Sequence, residues 1–433
     1  MDVRKFSHDT LLTIVSRVSG FVAGLLVNIL IARTVGPRGK GIATMVYMYP
    51  FFAHQILSLG LENANTYYIS SERRRLSSLV ANTLVHTLLM TTFFFTFSLS
   101  FKSLIINSFF KIRIPVIFFI AVVMFPLLSI LKITEAIFVG LKDFKKYNLL
   151  IVIERFGRLP FAFFFLIILN QQLIGCAIFQ IFPIICALTV SIILLSREIR
   201  DKIILHLSLY KKTIVYGIKS QAGVMITQFN YRLDHFLIAS LRSISDLGIY
   251  SMGVVATEII WYLPESLSKV FFPRVASLSS KEEIRENAAL LLSTTFWFLI
   301  IIAGLIILLG KPLIVALLGS KFLASYTVIL LLLPGTVMLS IGKIASSVFH
   351  GIGKPEYGTY LAILGFIATI ILDILLIPKL GIRGAAIASS VAYSIMGAAG
   401  LIFLIRLIGG GIGDYLVINI QKIRGLLKMI PKR

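Results

Sequence analysis

Charge is what this sequence has least of. Lys, Arg, Asp and Glu make up 14% of its 433 residues, while hydrophobic residues make up 58%. A soluble domain carries about 25% charged and 45–50% apolar residues, so a water-exposed globule is excluded. Cysteine is nearly missing too. Cys176 and Cys186 are the two in the chain, and they fall about 15 Å apart along one expected helix. That separation excludes a bond between them and any disulfide framework. No His or acidic cluster accompanies them, so a packing role is expected, with no metal and no cofactor. The outward connections are expected to be only about 3–15 residues long, and none holds a DxD motif or a His cluster. A membrane glycosyltransferase or polymerase would need such groups, so the chain is not expected to be an enzyme.

What the chain has instead is apolar length. Twelve runs recur, at 11–33, 42–61, 79–100, 114–139, 148–169, 173–196, 214–240, 248–269, 288–309, 323–349, 358–377 and 384–407. Each can cross about 30 Å of hydrocarbon at 1.5 Å per residue. None alternates as a strand would, so the spans are helices and not a barrel. The expected class is an all-α polytopic membrane protein with about 12 transmembrane helices. The first run is too long for a signal peptide, contains Arg17 and lacks a small-residue cleavage site, so it is expected to be retained.

The surplus of base, 42 Lys and Arg against 19 Asp and Glu, is explained by orientation rather than by nucleic acid. With a cytoplasmic N-terminus, about 23 Lys/Arg fall on the inner side and about 10 on the outer. Arg73–Arg75, Lys142, Lys145, Lys146 and the stretch 197–212 carry much of the excess. Both termini are therefore expected in the cytoplasm, with the chain in the cytoplasmic (inner) membrane. The tail after Gly409-Gly410-Gly411 is too short and basic to span, and suits an amphipathic helix lying on that leaflet.

One break stands out. Between the first two runs come Arg33, Gly36, Pro37, Arg38, Gly39, Lys40 and Gly41. Such residues suit a tight reversal, so an outward loop is expected here. A faded copy returns 207 residues later, pairing Leu30/Leu237, Ile31/Ile238, Ala32/Ala239, Gly41/Gly248, Ile42/Ile249 and Met45/Met252. Leu128–Gly140 likewise resembles Leu339–Gly351, including Lys132/Lys343 and Gly140/Gly351. The chain thus reads as a tandem duplication of a six-span unit. Six is even, so the copies form parallel repeats, a build common among transporters. The expected organisation is a six-helix lobe over 1–195, a cytoplasmic linker over 196–212, a second lobe over 213–407 and a basic tail over 408–433.

Ionisable groups at membrane depth usually face a cavity or one another. At about 100° per residue, Lys219, Gly223, Thr227, Asn230 and Asp234 share an arc of span seven. Span one repeats this with Arg17, Gly20, Gly24 and Asn28. Span two offers Tyr47, His54, Ser58 and Glu62, and span eight Glu258, Tyr262, Glu265 and Lys269. A central cavity lined by spans one, two, seven and eight is expected, with spans three, six, nine and twelve toward lipid. Plainer readings stand beside these. Arg17 could snorkel, Gly20 and Gly24 could serve helix approach, and Glu265/Lys269 and Glu154/Arg158 could neutralise within one helix. Glu258 has no basic neighbour one turn away, which makes it the first candidate for ion coupling, with Asp234 next.

ILIARTVGPRGKG (Ile29–Gly41), RLDHFLIASLRSISDLGIYSMG (Arg232–Gly253), PESLSKVFFPR (Pro264–Arg274), GIGKPEYG (Gly351–Gly358) and IPKLGIRGAAIASSVAY (Ile377–Tyr393) together resemble the Wzx-like polysaccharide and O-antigen repeat-unit flippases. These belong to the multidrug/oligosaccharidyl-lipid/polysaccharide exporter superfamily. The resemblance covers nearly the whole chain. It implies two six-helix lobes forming a V that opens alternately to each side, and a polyprenyl-pyrophosphate-linked oligosaccharide as substrate. Glu258, Glu265 and Asp234 give the expected cavity a mixed charge, which suits either a sugar unit carrying amino groups or coupling to a cation, proton or sodium; polysaccharide polymerase and chain-length machinery are expected as partners. Arg17, Asn28, Lys219, Asn230 and Arg232 are then the expected substrate-binding residues, and Glu258 and Asp234 the ion-coupling ones. His54, Ser58, Glu62, Tyr262, Glu265 and Lys269 are expected to line the cavity. A drug/cation antiporter of the same superfamily is the alternative reading.

Overall fold

The computed structural model describes the backbone of residues 3–417 apart from 72–75, 113, 200, 201, 203 and 279; the side chains of 3–18, 262, 269, 270 and 273 lie outside it. Among the described residues there is no strand. The helices are α1 (Val3–Thr34), α2 (Gly36–Leu57), α3 (Leu61–Ser71), α4 (Leu76–Ser100), α5 (Lys102–Ile105), α6 (Pro115–Gly140), α7 (Phe144–Phe163), α8 (Gln172–Ile178), α9 (Ile181–Ser196), α10 (Leu207–Leu241), α11 (Ile244–Ala276), α12 (Lys281–Leu318), α13 (Leu323–Gly351), α14 (Glu356–Leu380), α15 (Ile382–Ile408) and α16 (Ile412–Leu416). Each of the twelve apolar runs has its helix, the sixth as the broken pair α8 and α9. Among the described residues, eight stretches are long and apolar enough to cross a membrane by length and composition. Of the other expected spans, α2, α7 and α10 are interrupted by polar or charged residues, and the side chains of α1 are described only from Ser19 onward. The chain is an all-α, multi-pass membrane protein.

The break after the first span is tighter than the expected outward loop. α1 runs to Thr34 and α2 already begins at Gly36, leaving Val35 as the turn. Gly36 takes φ +75°, which a side chain would resist. Pro37 stands in the first turn of α2, where its missing N–H costs no helical bond. Arg38, Gly39, Lys40 and Gly41 are therefore helical, and Lys40 is buried. A longer break comes later, at 58–60 between α2 and α3, where Leu59 and Gly60 take φ +49° and +75°. Cys176 and Cys186 are both free, the first buried and the second exposed.

Packing divides the chain into two units. The first comprises 1–225 and 243–249, the second 226–242 and 250–433. In the first unit α1 lies on α7, α7 on α9, and α2 and α3 on α6. Its core is aromatic, with Phe94 and Phe125 stacked at 4.1 Å. The first half of α10 also docks there. Tyr216 stacks on Tyr67 at 4.6 Å, and the Tyr210 hydroxyl lies 2.8 Å from His86 Nδ1. Asn82 exchanges two hydrogen bonds with the His206 backbone, at 3.0 and 3.2 Å. Gln221 donates to the Gln55 carbonyl and side-chain oxygens at 3.2 and 2.9 Å. Residues 207–225, placed by the repeat at the linker's end and the opening of the second lobe, are thus held by the first unit.

In the second unit α15 lies deep between α13 and α14. Small residues allow the approach: a Cβ on Gly335 would run into the Ser390 backbone, and one on Gly397 into that of Met338. The Gly335 N–H donates to Ser390 Oγ at 2.9 Å. One face of the twelfth span is therefore interior, while Val391, Ile395 and Ile402 on the same helix remain exposed. Its lack of charge reflects helix contact, because backbones that touch leave no room for long side chains. α12 does present an apolar surface, with Ile301 and Leu308 62% and 72% exposed. Phe349, Val348, Leu404 and Tyr415 close the core at the other end. Of the expected amphipathic tail, α16 is seen; residues 418–433 lie outside the described ones.

Candidate functional site

The second unit gathers its polar groups around α10. Asp234 is buried, and its carboxylate is answered on every side. Oδ1 accepts from the His235 N–H at 2.7 Å and lies 2.6 Å from His235 Nδ1. Oδ2 accepts from the Tyr250 hydroxyl of α11, and from Ser389 Oγ of α15 at 3.1 Å. One turn earlier, Asn230 accepts from Thr369 Oγ1 of α14 at 2.6 Å. The next acid is treated differently. Asp373 of α14 is fully buried, and neither carboxylate oxygen has a hydrogen-bond partner among the described residues. It lies within electrostatic reach of Asp234. An unanswered carboxylate in such a place is costly unless it is neutralised by a proton or a cation.

On another face of α10, Arg232 Nη2 meets Glu258 Oε1 of α11 at 2.7 Å. Glu258 is therefore paired, contrary to what its sequence neighbours imply; the base comes from the adjacent helix, 26 residues away. Glu265 likewise lies 3.7 Å from Lys343 Nζ of α13. Its expected partner Lys269 lies outside the described side chains.

The first unit buries a second set of charges. Lys132 of α6 bonds both Glu135 oxygens at 3.0 and 2.9 Å and lies 3.7 Å from Glu154 of α7. Arg158 donates to Glu154 and lies over the Tyr47 ring at 5.0 Å. The Glu154/Arg158 pair is thus intrahelical, as the spacing allows, and Lys132 joins it from a neighbouring helix. Across the α2–α3 break, His54 is bracketed by Glu62 and by Ser129 Oγ, the latter at 3.0 Å. Beyond the spans, Asp143 caps α7 by accepting from the Lys146 N–H at 3.1 Å. Lys146 Nζ reaches Asp143 at 3.1 Å and Glu198 at 2.7 Å. Partial burial opposes ionisation of Asp143, but the Lys146 N–H and ammonium outweigh it and hold the carboxyl below its ordinary range. The hydrogen bond to Glu198 leads in raising Lys146.

A family model described as "Polysaccharide biosynthesis protein" matches residues 6–279. The chain belongs to the polysaccharide biosynthesis protein family. Over 213 residues it is 25% identical to an uncharacterized membrane protein, MJ1068, of Methanocaldococcus jannaschii, covering 48% of this chain and 42% of that protein. Over 166 residues it is 22% identical to the probable low-salt glycan biosynthesis flippase Agl15 of Haloferax volcanii, covering 38% and 35%. These matches span less than half the length of either relative. In fold it resembles the lipid II flippase MurJ in an inward closed conformation, with TM-score 0.76, 18% identity, and 97% and 92% of the two chains covered. It also resembles an inward-facing multidrug resistance MATE family transporter of the MOP superfamily, with TM-score 0.67, 15% identity and 91% and 98% coverage.

In the structure the expected site residues part company. Asn230 and Asp234 are buried within the second unit, whereas Lys219 on the same arc is exposed. The arc is continuous, but its surroundings change along α10. Asn28 is half-buried, as are Glu62 and Arg232; Ser58 is buried, and Glu265 is exposed. The Arg17 and Tyr262 side chains lie outside the described residues. Sequence reasoning left Asp373 without a role and missed Tyr231, Trp261 and Tyr393. Aromatic residues inside an apolar run give no periodic signal of their own, and the Asp373 environment is made by other helices.

Proposed function

We propose that the chain is a flippase that carries polyprenyl-pyrophosphate-linked oligosaccharide repeat units between the leaflets for cell-surface polysaccharide synthesis, by alternating access and without bond chemistry. The family match over 6–279 carries this reading. Arg232 and Lys343, half-buried at span depth, supply cations for a pyrophosphate, with Arg17 and Lys219 as further candidates. An apolar fissure of about 940 Å³ between α1 and α7, with Arg33 among its lining residues, suits an isoprenoid chain. For the driving force, the buried carboxylate of Asp373, within electrostatic reach of the fully bonded Asp234, is the group that sodium or a proton neutralises. Asp373 takes the place of Glu258 as the coupling residue, because Glu258 is already paired with Arg232.

The test is genetic and sided. Deletion of the gene should leave completed lipid-linked oligosaccharide on the cytoplasmic leaflet, cleared by wild type and not by Arg232→Ala. Normal distribution of that lipid together with drug hypersensitivity would favour the antiporter, the reading that the MATE-like fold supports equally.

A further inference from the structure

Three rings from three helices of the second unit meet at one point. Tyr231 of α10 and Trp261 of α11 lie 5.1 Å apart. Both stand edge-on to Tyr393 of α15, at 5.9 and 5.6 Å. Tyr393 is buried with Leu339 and Met396, forming an apolar floor, whereas Tyr231 and Trp261 are partly exposed. The Trp261 indole N–H is buried and has no hydrogen-bond partner among the described residues. Buried indoles normally find an acceptor, so this donor is left over by the fold.

Charges of both signs surround the rings. Lys343 Nζ lies 4.7 Å from the centre of the Trp261 ring and 5.6 Å from that of Tyr231. It also lies 3.7 Å from Glu265. The Arg232–Glu258 pair comes from the residues next to Tyr231 and one turn before Trp261. A ligand that uses all of this needs a flat apolar face and a rim of hydroxyls. A pyranose ring has both. Its C–H face suits the negative faces of aromatic rings, and its hydroxyls bond carboxylates, ammonium and indole N–H. A bare pyrophosphate would leave the rings unused, and an organic cation would meet Lys343 over the Trp261 ring as a like charge.

We propose that Tyr231 and Trp261 are the platform on which the sugar of the lipid-linked substrate stacks, with Lys343 covering the rings until the sugar displaces it toward Glu265. This deepens the flippase reading and rests on it. Tyr393 is a positioning residue that holds the two rings at their angle.

The chain has two tryptophans, so Trp297→Phe leaves Trp261 as the sole reporter in the full-length protein. Its emission is followed on titration with farnesyl pyrophosphate and with farnesyl pyrophosphates bearing glucose, galactose, mannose or N-acetylglucosamine. At least one sugar-bearing probe should bind about tenfold more tightly than the bare one and shift the emission. Adding Tyr231→Ala should erase that difference while keeping the bare probe's affinity, and Tyr231→Phe, which preserves the ring, should retain it. Equal binding of all probes, or a difference that survives Tyr231→Ala, overturns the platform and leaves the flippase reading standing. Silence toward every probe in a folded, monodisperse protein overturns both.

Discussion

Gly41 and Gly248, 207 residues apart and equivalent in the two repeats, touch backbone to backbone within the first unit. A Cβ on Gly41 would strike the Ile244 carbonyl, and one on Gly248 would strike that of Pro37. Pro37 and Ile244 are themselves 207 residues apart, so each glycine lies against the repeat-mate of the other's neighbour. The glycines that mark the repeat in sequence are thus the ones that let the start of α11 lie against the start of α2 within the first unit.

Gly41→Ala or Gly248→Ala should each destabilise the protein by about 1–3 kcal/mol, the ordinary cost of overpacking, because the obstructing atom is backbone and cannot rotate away. Gly24→Ala meets nothing within 4 Å, and should be neutral or slightly stabilising from helix propensity alone. Thermal melts in detergent compare the three. Equal melting temperatures for Gly41→Ala and Gly24→Ala would refute the close approach.

The Asp143–Lys146–Glu198 clasp gives a pH dependence. Asp143 is held below its ordinary value of about 3.9. Its contribution is therefore complete above that value and lost as pH falls through the lower folded value. Lys146 is raised above about 10.4, so its contribution is complete below that value and lost as pH rises through the folded one. Between about pH 5 and pH 10 the clasp is whole. Asp143→Asn should lower stability at pH 7, and the gap to wild type should close toward pH 2. A gap unchanged from pH 7 to pH 2 would assign the loss to capping geometry rather than charge.

The spans were legible because bilayer thickness sets run length, and each of the twelve runs became helical. The turn at Arg33–Gly41 was not, since a Gly- and Pro-rich stretch that looks like loop is also what a helix start needs when another backbone presses on it. Glu258 looked unpartnered because its base, Arg232, lies on another helix. Asp234 was found by the polar arc of α10, but its four donors could not be, as two come from α11 and α15. Sequence periodicity reports one helix at a time, and ion pairs between helices escape it.

Breaking the Arg232–Glu258 pair tests what it does. Glu258→Gln leaves Arg232 without its anion, and Arg232→Gln leaves Glu258 without its cation. Each should cost about 1–3 kcal/mol, less than a fully buried pair, since both side chains retain some exposure. The double variant should recover most of that stability, because two amides can bond each other. Transport should not recover with it if Arg232 binds the pyrophosphate. Recovery of both stability and transport in the double variant would make the pair structural.

Asp373 gives the sharpest test of coupling. Its carboxylate is fully buried, and neither oxygen has a hydrogen-bond partner among the described residues, so Asp373→Asn removes a burden while keeping the shape. In choline chloride the variant should melt at or above the wild-type temperature. A bound cation stabilises the folded state in proportion to the logarithm of its excess over Kd, about 2.7 kcal/mol at a hundredfold excess. Replacing choline with sodium, or lowering pH from 8 to 6, should therefore raise the wild-type melting temperature and leave Asp373→Asn unmoved. Transport by the variant should become independent of the same ion. If the variant melts well below wild type in choline, the carboxylate has partners that the fold supplies, and coupling through Asp373 fails.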